Sequence, residues 1–149
     1  MEIHQSTVIL LLVLSVSSST HGYSAYAWRR YQNFLDQHRA PFVNREMCTN
    51  EISERKIGSE TGVCKRVNTF IQANENQLKA VCVGGTQLNS NFFVSGQTFP
   101  LVTCRLQNGE QIYPNCQYQR GQLSTRYIVL ACTEGLPVHY DRSSVQRTG

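Results

Sequence analysis

The sequence lacks the motifs on which most hydrolases depend. It has no G-x-S-x-G nucleophile elbow, no H-E-x-x-H zinc motif and no glycine-rich loop that would hold a phosphate. Asp and Glu together number only 10 and are scattered along the chain, so a glycosidase with two paired carboxylates fits poorly. Histidine, lysine and cysteine are the candidates for chemistry considered next.

The first residues are typical of a secretory signal. Val8–Val16 is an apolar run, and the small polar residues Ser17–Thr20 follow it. A run of this length suits a signal peptide and is too short to cross a bilayer as a helix. We therefore expect residues 1–22 to be removed after Gly22 and residues 23–149 to form one exported domain.

The cysteines predict a disulfide framework. An even number of cysteines in a small exported domain favours disulfides, here three. A zinc site is the weaker alternative, because there is no C-x-x-C pair and the two closest cysteines are 12 residues apart. Full pairing would leave no thiol nucleophile, and the spacing does not decide which cysteines pair. The six are Cys48, Cys64, Cys82, Cys104, Cys116 and Cys132.

Hydrophobic periodicity predicts helices in the first half of the domain and strands in the second. The predicted helices are Tyr26–Arg39, Glu46–Lys56 and Gln72–Val81. The predicted strands are Val67–Ile71, 92–96, 98–106, Gln111–Gln119, Thr125–Cys132 and Leu136–Asp141, with Asn108 and Gly109 as a tight hairpin turn. This order indicates an α+β fold in which the helices pack on an antiparallel sheet.

Removal of residues 1–22 leaves two histidines, His38 and His139. A lone histidine is usually a surface or core residue without a role, and these two lie far apart in the chain. Lys65 directly follows Cys64, so a disulfide would hold its backbone in place. A surface lysine is the alternative, and spacing alone does not separate these interpretations.

Three short motifs identify the chain as similar to the pancreatic ribonuclease superfamily. Cys64–Phe70 matches the signature C-K-x-x-N-T-F, which is highly specific. Phe34–His38 resembles the F-x-x-Q-H of the family's first helix, and Pro137–Asp141 resembles its closing P-V-H-aromatic-D strand. Their order and separation also match. The resemblance covers essentially the whole exported domain and is closest to the angiogenin-like, three-disulfide, non-mammalian vertebrate members.

The resemblance implies a fold and a disulfide pairing. It implies a V-shaped α+β ribonuclease domain, with three helices packed on a long, twisted antiparallel sheet and the active site in the cleft. Pancreatic-type members have a fourth disulfide, but residues 83–103 contain no cysteine, so that bridge is absent here. The implied pairs are Cys48–Cys104, Cys64–Cys116 and Cys82–Cys132.

The resemblance also implies a reaction and the residues that perform it. His38 would be the base, His139 the acid, and Lys65 the group that stabilises charge on the phosphate. The substrate would be RNA, cut after a pyrimidine to leave a 2′,3′-cyclic phosphate, and neither a metal nor a cofactor would be needed. The implied substrate-binding residues are Gln37, Asn68, Thr69, Tyr140 and Asp141.

Departures from the family pattern indicate weak, angiogenin-like turnover. Asn33 and Asp36 stand where the pancreatic enzyme has basic residues, and Arg142 stands where angiogenins carry a residue that blocks the pyrimidine pocket. The alternative function is a cationic angiogenic or antimicrobial factor that binds anionic membranes or cell-surface receptors. With either function, a monomer is expected. Loss of Glu2 with the signal leaves 14 basic and 9 acidic residues, a net charge of +5. Arg55 with Lys56 is the candidate contact of this cationic factor with a cell surface.

Overall fold

A computed structural model describes residues 22–147, so residues 1–21 of the predicted signal peptide lie outside the described part of the chain. Within residues 22–147, no helix is both long and apolar enough to cross a membrane. The helices are α1 Ala25–His38, α2 Cys48–Glu54 and α3 Glu75–Gly84. The strands are β1 Val67–Ile71, β2 Thr86–Gln87, β3 Phe92–Val94, β4 Phe99–Arg105, β5 Gln122–Thr133 and β6 Leu136–Ser144. The predicted α+β class is confirmed.

The helices begin and end where local hydrogen bonding changes. Helix α1 starts after Ser24, whose side chain accepts a hydrogen bond from the Ala27 amide at 3.0 Å. Helix α2 is shorter than predicted because the backbone turns into the left-handed region at Lys56, with φ of 57°. Helix α3 starts later than predicted because Asn74 and Gln77 form a capping box at its start. The side chain of each residue accepts a hydrogen bond from the backbone N–H of the other.

The sheet is antiparallel and centred on strand β5. Its order is β1-β4-β5-β3-β2, and β6 pairs along the other edge of β5. The first half of β5 pairs with β4 and the second half with β3, so one long strand joins two parts of the sheet. Strands β5 and β6 are joined by a tight turn at Glu134 and Gly135, where φ is 54° and 77°.

Two sequence predictions in the second half are wrong. Residues Gln111–Gln119 do not form a strand, since they contain only isolated bridges at Ile112 and Tyr118. Asn108 and Gly109 form a bend in a long loop rather than a two-residue turn. The loop returns to β4 only near its base, where the Gln119 amide donates to the Arg105 carbonyl at 2.8 Å.

Two hydrophobic clusters divide the core, and disulfides lie in both. One cluster packs α1 and α3 against β5 and the start of β6, and it contains Cys82 and Cys132. The other packs α2 against β1 and β4 and contains the remaining cysteines. The pairs are those the resemblance implied, Cys48–Cys104, Cys64–Cys116 and Cys82–Cys132, with sequence separations of 56, 52 and 50. Helix α1 contacts both β1 and β6, which brings its last turn between these strands.

Candidate active site

Both histidines line one cavity of about 260 Å³, here called the histidine cavity. Its walls come from α1, β1, β6 and the segment just before β1. Six of the eight predicted catalytic and substrate-binding residues line it: Gln37, His38, Lys65, Thr69, His139 and Tyr140. The other wall residues are Asn33, Phe34, Val67 and Val138. The fold therefore brings together residues that are far apart in sequence.

His38 is held in one orientation by the backbone of β1. Its side chain is buried, and Nδ1 lies 2.7 Å from the carbonyl oxygen of Thr69. Because a carbonyl oxygen can only accept, Nδ1 must carry the proton and Nε2 keeps the lone pair of the neutral ring. The rings of Phe34 and Tyr140 pack against the imidazole, with centroid distances of 5.3 and 5.4 Å.

The surroundings of His38 favour its neutral form. Burial lowers the pKa of His38 from 6.5 to about 3, and the positive charge of Lys65 acts in the same direction. The hydrogen bond to the Thr69 carbonyl opposes this lowering of the pKa. At neutral pH the imidazole is therefore uncharged, as a proton acceptor has to be.

Lys65 is fixed by two side-chain oxygens. Its Nζ donates to Gln37 Oε1 at 2.8 Å and to Asn68 Oδ1 at 2.9 Å. Asn68 Nδ2 in turn donates to the Gln37 carbonyl oxygen at 2.9 Å, which closes a small network. The Tyr118 hydroxyl donates to the Lys65 carbonyl at 2.5 Å, and burial lowers the pKa of the Lys65 ammonium. Asn68 is 1% exposed, so it supports Lys65 from behind the cavity wall.

His139 lies on an irregular part of β6. His139 pairs with Ala131 of β5, and Tyr140 pairs with Leu130. The register between β5 and β6 shifts on both sides of these two pairs. The shifts leave Val138 and Asp141 as extra residues in β6, as in β-bulges, which redirect side chains and are common next to active sites. The His139 side chain is exposed, unlike that of His38. Burial raises the pKa of the neighbouring Tyr140 hydroxyl.

Asp141 makes no hydrogen bond to His139 in the described part of the chain. Its Oδ2 accepts from Arg142 Nη1 at 2.5 Å, and neither of these two residues lines the histidine cavity. The resemblance implied that Asp141 orients the acid histidine, and this arrangement differs from that expectation. An ion pair between neighbouring residues on an exposed strand is weak, since the two side chains are 45% and 30% exposed.

Arg55 has a structural role that sequence reasoning missed. Its Nη1 donates to the carbonyl oxygens of Asp36 at 3.0 Å and Arg39 at 2.7 Å, at the end of α1. The guanidinium also pairs with Glu51 and lies 5.0 Å from the centroid of the Phe70 ring. Arg55 therefore fixes the helix end that carries His38 and is not a solvated surface cation.

Sequence reasoning also missed the apolar walls of the cavity. Val67 lies two residues before Thr69 on β1, and alternation along a strand places such side chains on the same face. That signal was present in the sequence. Val138 gave no comparable signal, because its position depends on the shift of register in β6.

Comparison with known proteins decides the family. A family model described as pancreatic ribonuclease matches residues 29–141. Ribonuclease-like 3 of Danio rerio is 42% identical over 150 residues, which cover 97% of this chain and 99% of the relative. Angiogenin-3 of Mus musculus is 37% identical over 142 residues, which cover 93% and 92%. The chain belongs to the pancreatic ribonuclease family.

Solved structures agree with this assignment to the ribonuclease family. The X-ray structure of zebrafish RNase5 matches with a TM-score of 0.73 and 48% identity, covering 80% of this chain and 98% of that one. The crystal structure of green turtle egg white ribonuclease matches with a TM-score of 0.69 and 40% identity, covering 77% and 98%. The predicted resemblance to angiogenin-like, non-mammalian members is confirmed.

Proposed function

We propose that this family member is a secreted, monomeric endoribonuclease that cleaves single-stranded RNA on the 3′ side of pyrimidines. The observation that carries the proposal is a neutral His38, with Nε2 as the only proton acceptor of its ring, in the same cavity as Lys65 and His139. Two histidines with different environments suit a reaction that needs one base and one acid.

In the proposed reaction, His38 Nε2 takes the proton of the ribose 2′-hydroxyl. The 2′-oxygen forms a bond to phosphorus, and the bond from phosphorus to the 5′-oxygen of the next nucleotide breaks. His139, in its protonated form, gives its proton to that 5′-oxygen, leaving a 2′,3′-cyclic phosphate. The substrate itself supplies proximity, because the 2′-hydroxyl is tethered beside the phosphorus. Lys65 stabilises the negative charge that develops on the phosphoryl oxygens.

Thr69 is the proposed reader of the pyrimidine. Its carbonyl oxygen is occupied by His38, while its amide and its hydroxyl, which interacts with the Tyr140 side chain, face the base. A hydroxyl can donate or accept a hydrogen bond, so the same residue suits both uracil and cytosine. Gln37 would contact the phosphate, and Tyr140 would shape the cavity beside His38.

Turnover is proposed to be weak. Asn33 lines the histidine cavity without a charge, and Asp36 adds a negative charge close to it. The carboxylate of Asp141 is engaged by Arg142 instead of orienting His139. Each of these features lowers affinity for RNA or the efficiency of proton transfer.

The test is cleavage of a cytidine-adenosine dinucleoside phosphate by the wild type and single variants. General acid–base groups contribute about 10² to 10⁴-fold, so we expect His38→Ala and His139→Ala each to lose that much of kcat/KM. Lys65→Ala should also lose activity, whereas Lys79→Ala, a lysine away from the cavity, should not. A wild type that fails to cleave RNA, or that cleaves the 2′-deoxy analogue equally well, would refute the proposal.

A second candidate function rests on the positive charge of the chain. The full sequence has a pI near 8.8, and the exported form, which loses Glu2, would be attracted to anionic membranes or cell-surface receptors, in an antimicrobial or angiogenic role. The His38→Ala protein distinguishes the two functions. Bacterial killing that survives the loss of RNA cleavage would favour the second function.

A further inference from the structure

The start of helix α1 is joined to the turn before β6 by one side chain. The carboxylate of Glu134 accepts two hydrogen bonds from Ser24, one from the backbone amide to Oε1 at 2.9 Å and one from the hydroxyl to Oε2 at 2.5 Å. Helix α1 carries His38, and β6 carries His139. We propose that Glu134 is a positioning residue that sets where α1 lies along β6, and thereby where His38 lies relative to His139. This inference rests on the proposed ribonuclease function.

Helix α1 and strand β6 lie side by side and run in the same direction. Their starts meet at Ser24 and Glu134, and further along, the ring centroids of His38 and Tyr140 are 5.4 Å apart. Between these points, apolar side chains of both elements belong to one hydrophobic cluster. Apolar packing is not directional, and packed helices can slide by about 1 to 2 Å. A pair of hydrogen bonds to a carboxylate has a fixed geometry and opposes such sliding.

The contacts at the other end of α1 hold the helix to different elements. The His38 ring bonds to the Thr69 carbonyl of β1, and Arg55 donates to two carbonyl oxygens at the helix end. These contacts fix α1 against β1 and the end of α2 rather than against β6. About 21 Å of helix separate Ser24 from His38, and a rigid element of this length transmits a shift along its axis. The carboxylate at the start of the helix therefore acts on the cavity from a distance.

The backbone and charge of Glu134 suit this contact with Ser24. Its φ of 54° lies in the left-handed region, which glutamate rarely adopts. The hydrogen bonds from Ser24 lower the pKa of the Glu134 carboxyl, so the group is ionised at neutral pH. A negative charge is also favoured at the start of a helix, where the backbone amides point towards it. Glu134 is not among the described residues that line the histidine cavity, so its role there is indirect.

The experiment measures cleavage of the dinucleoside phosphate by Glu134→Asn, with Glu110→Asn as the matched control. Asparagine suits a left-handed turn, but its side chain is shorter and has one acceptor oxygen. For Glu134→Asn we expect kcat to fall about threefold to tenfold, because misplaced reacting groups lower the rate. KM and Tm should change little, since relief of backbone strain offsets the lost hydrogen bonds. Glu110 is exposed in the long loop before β5, and its variant should match the wild type.

A double variant tests whether Ser24 and Glu134 act as one unit. Ser24→Gly removes the hydroxyl and leaves a residue that still begins a helix well. Adding Ser24→Gly to Glu134→Asn should therefore cost no further activity. Losses that multiply would overturn the inference, as would a kcat of Glu134→Asn within about twofold of the wild type. A change confined to KM would also overturn it, since Glu134 would then act on RNA through its charge.

A measurement without turnover keeps the inference separate from the proposed function. In NMR spectra, the ring protons of His38 and Tyr140 are close enough to give a nuclear Overhauser effect. This signal should weaken in Glu134→Asn and stay unchanged in Glu110→Asn. If the wild type cleaves nothing, the proposed function fails, and this signal alone tests the position of α1. A signal of unchanged strength in Glu134→Asn would overturn the inference.

Discussion

The Asn68 network gives the sharpest prediction about the site. Asn68 is 1% exposed, accepts from the Lys65 ammonium at 2.9 Å and donates to the Gln37 carbonyl at 2.9 Å. Asn68→Ala removes a charge-assisted hydrogen bond and leaves a carbonyl without its donor. Each loss costs about 1 to 3 kcal/mol, and water entering the space offsets part of it, so we expect the free energy of unfolding to fall by about 2 to 3 kcal/mol.

The same substitution should lower activity through Lys65. With one of its two oxygen partners gone, the ammonium is less well fixed where charge develops on the phosphate. We expect kcat for a dinucleoside phosphate to fall about tenfold with KM little changed, because fixed charge acts mainly in the transition state. The assays are urea denaturation and steady-state cleavage of the same preparation.

Asn68→Asp separates the two hydrogen bonds. Aspartate still accepts from Lys65 but cannot donate to the Gln37 carbonyl, and it adds a negative charge near the phosphate. We expect the free energy of unfolding of Asn68→Asp to lie closer to the wild-type value than that of Asn68→Ala does. Its activity should be as low as that of Asn68→Ala or lower. If Asn68→Ala loses stability and keeps full kcat, Lys65 does not need this support and the reasoning is refuted.

Three further predictions follow from the site and the core. Because burial lowers the pKa of His38 from 6.5 to about 3 in the folded chain, only the unfolded chain takes up a proton at this histidine between those pH values; the free energy of unfolding should therefore fall as the pH drops from 6.5 towards 3, and urea denaturation against pH should show this fall in wild type and not in His38→Gln. Arg142→Ala should raise kcat/KM by up to about fivefold by releasing Asp141 to orient His139, and an unchanged or lower value would contradict this. Replacing both Cys82 and Cys132 by alanine should lower the free energy of unfolding by about 4 kcal/mol in urea denaturation, and a loss below about 1 kcal/mol would contradict the loop-closure argument.

The features that follow from local pattern could be predicted from the sequence. Helix α1 was predicted within one residue at each end, because its apolar spacing is regular and Pro41 follows closely. Strand β1 was predicted at its observed bounds of Val67–Ile71. The resemblance then implied catalytic roles for His38, Lys65 and His139, which spacing alone left undecided.

The features that depend on tertiary contacts could not be predicted. Asn108-Gly109 is a strong local signal for a hairpin, but the following residues pair with β4 only near the base of the loop. The tight turn forms instead at Glu134-Gly135, although Glu is an unusual residue at positive φ. The partner of Asp141 depends on the shift of register in β6, which no local pattern reveals.

The position of Arg55 affects how charge-neutralising variants should be interpreted. A screen for residues that mediate uptake or toxicity would include Arg55 with Lys56, because both are basic and adjacent. Loss of Arg55 would also release two carbonyl oxygens at the last turn of α1, so a phenotype could come from a displaced His38. Lys56 or Arg120 is the safer choice for anyone engineering a less cationic form of this protein.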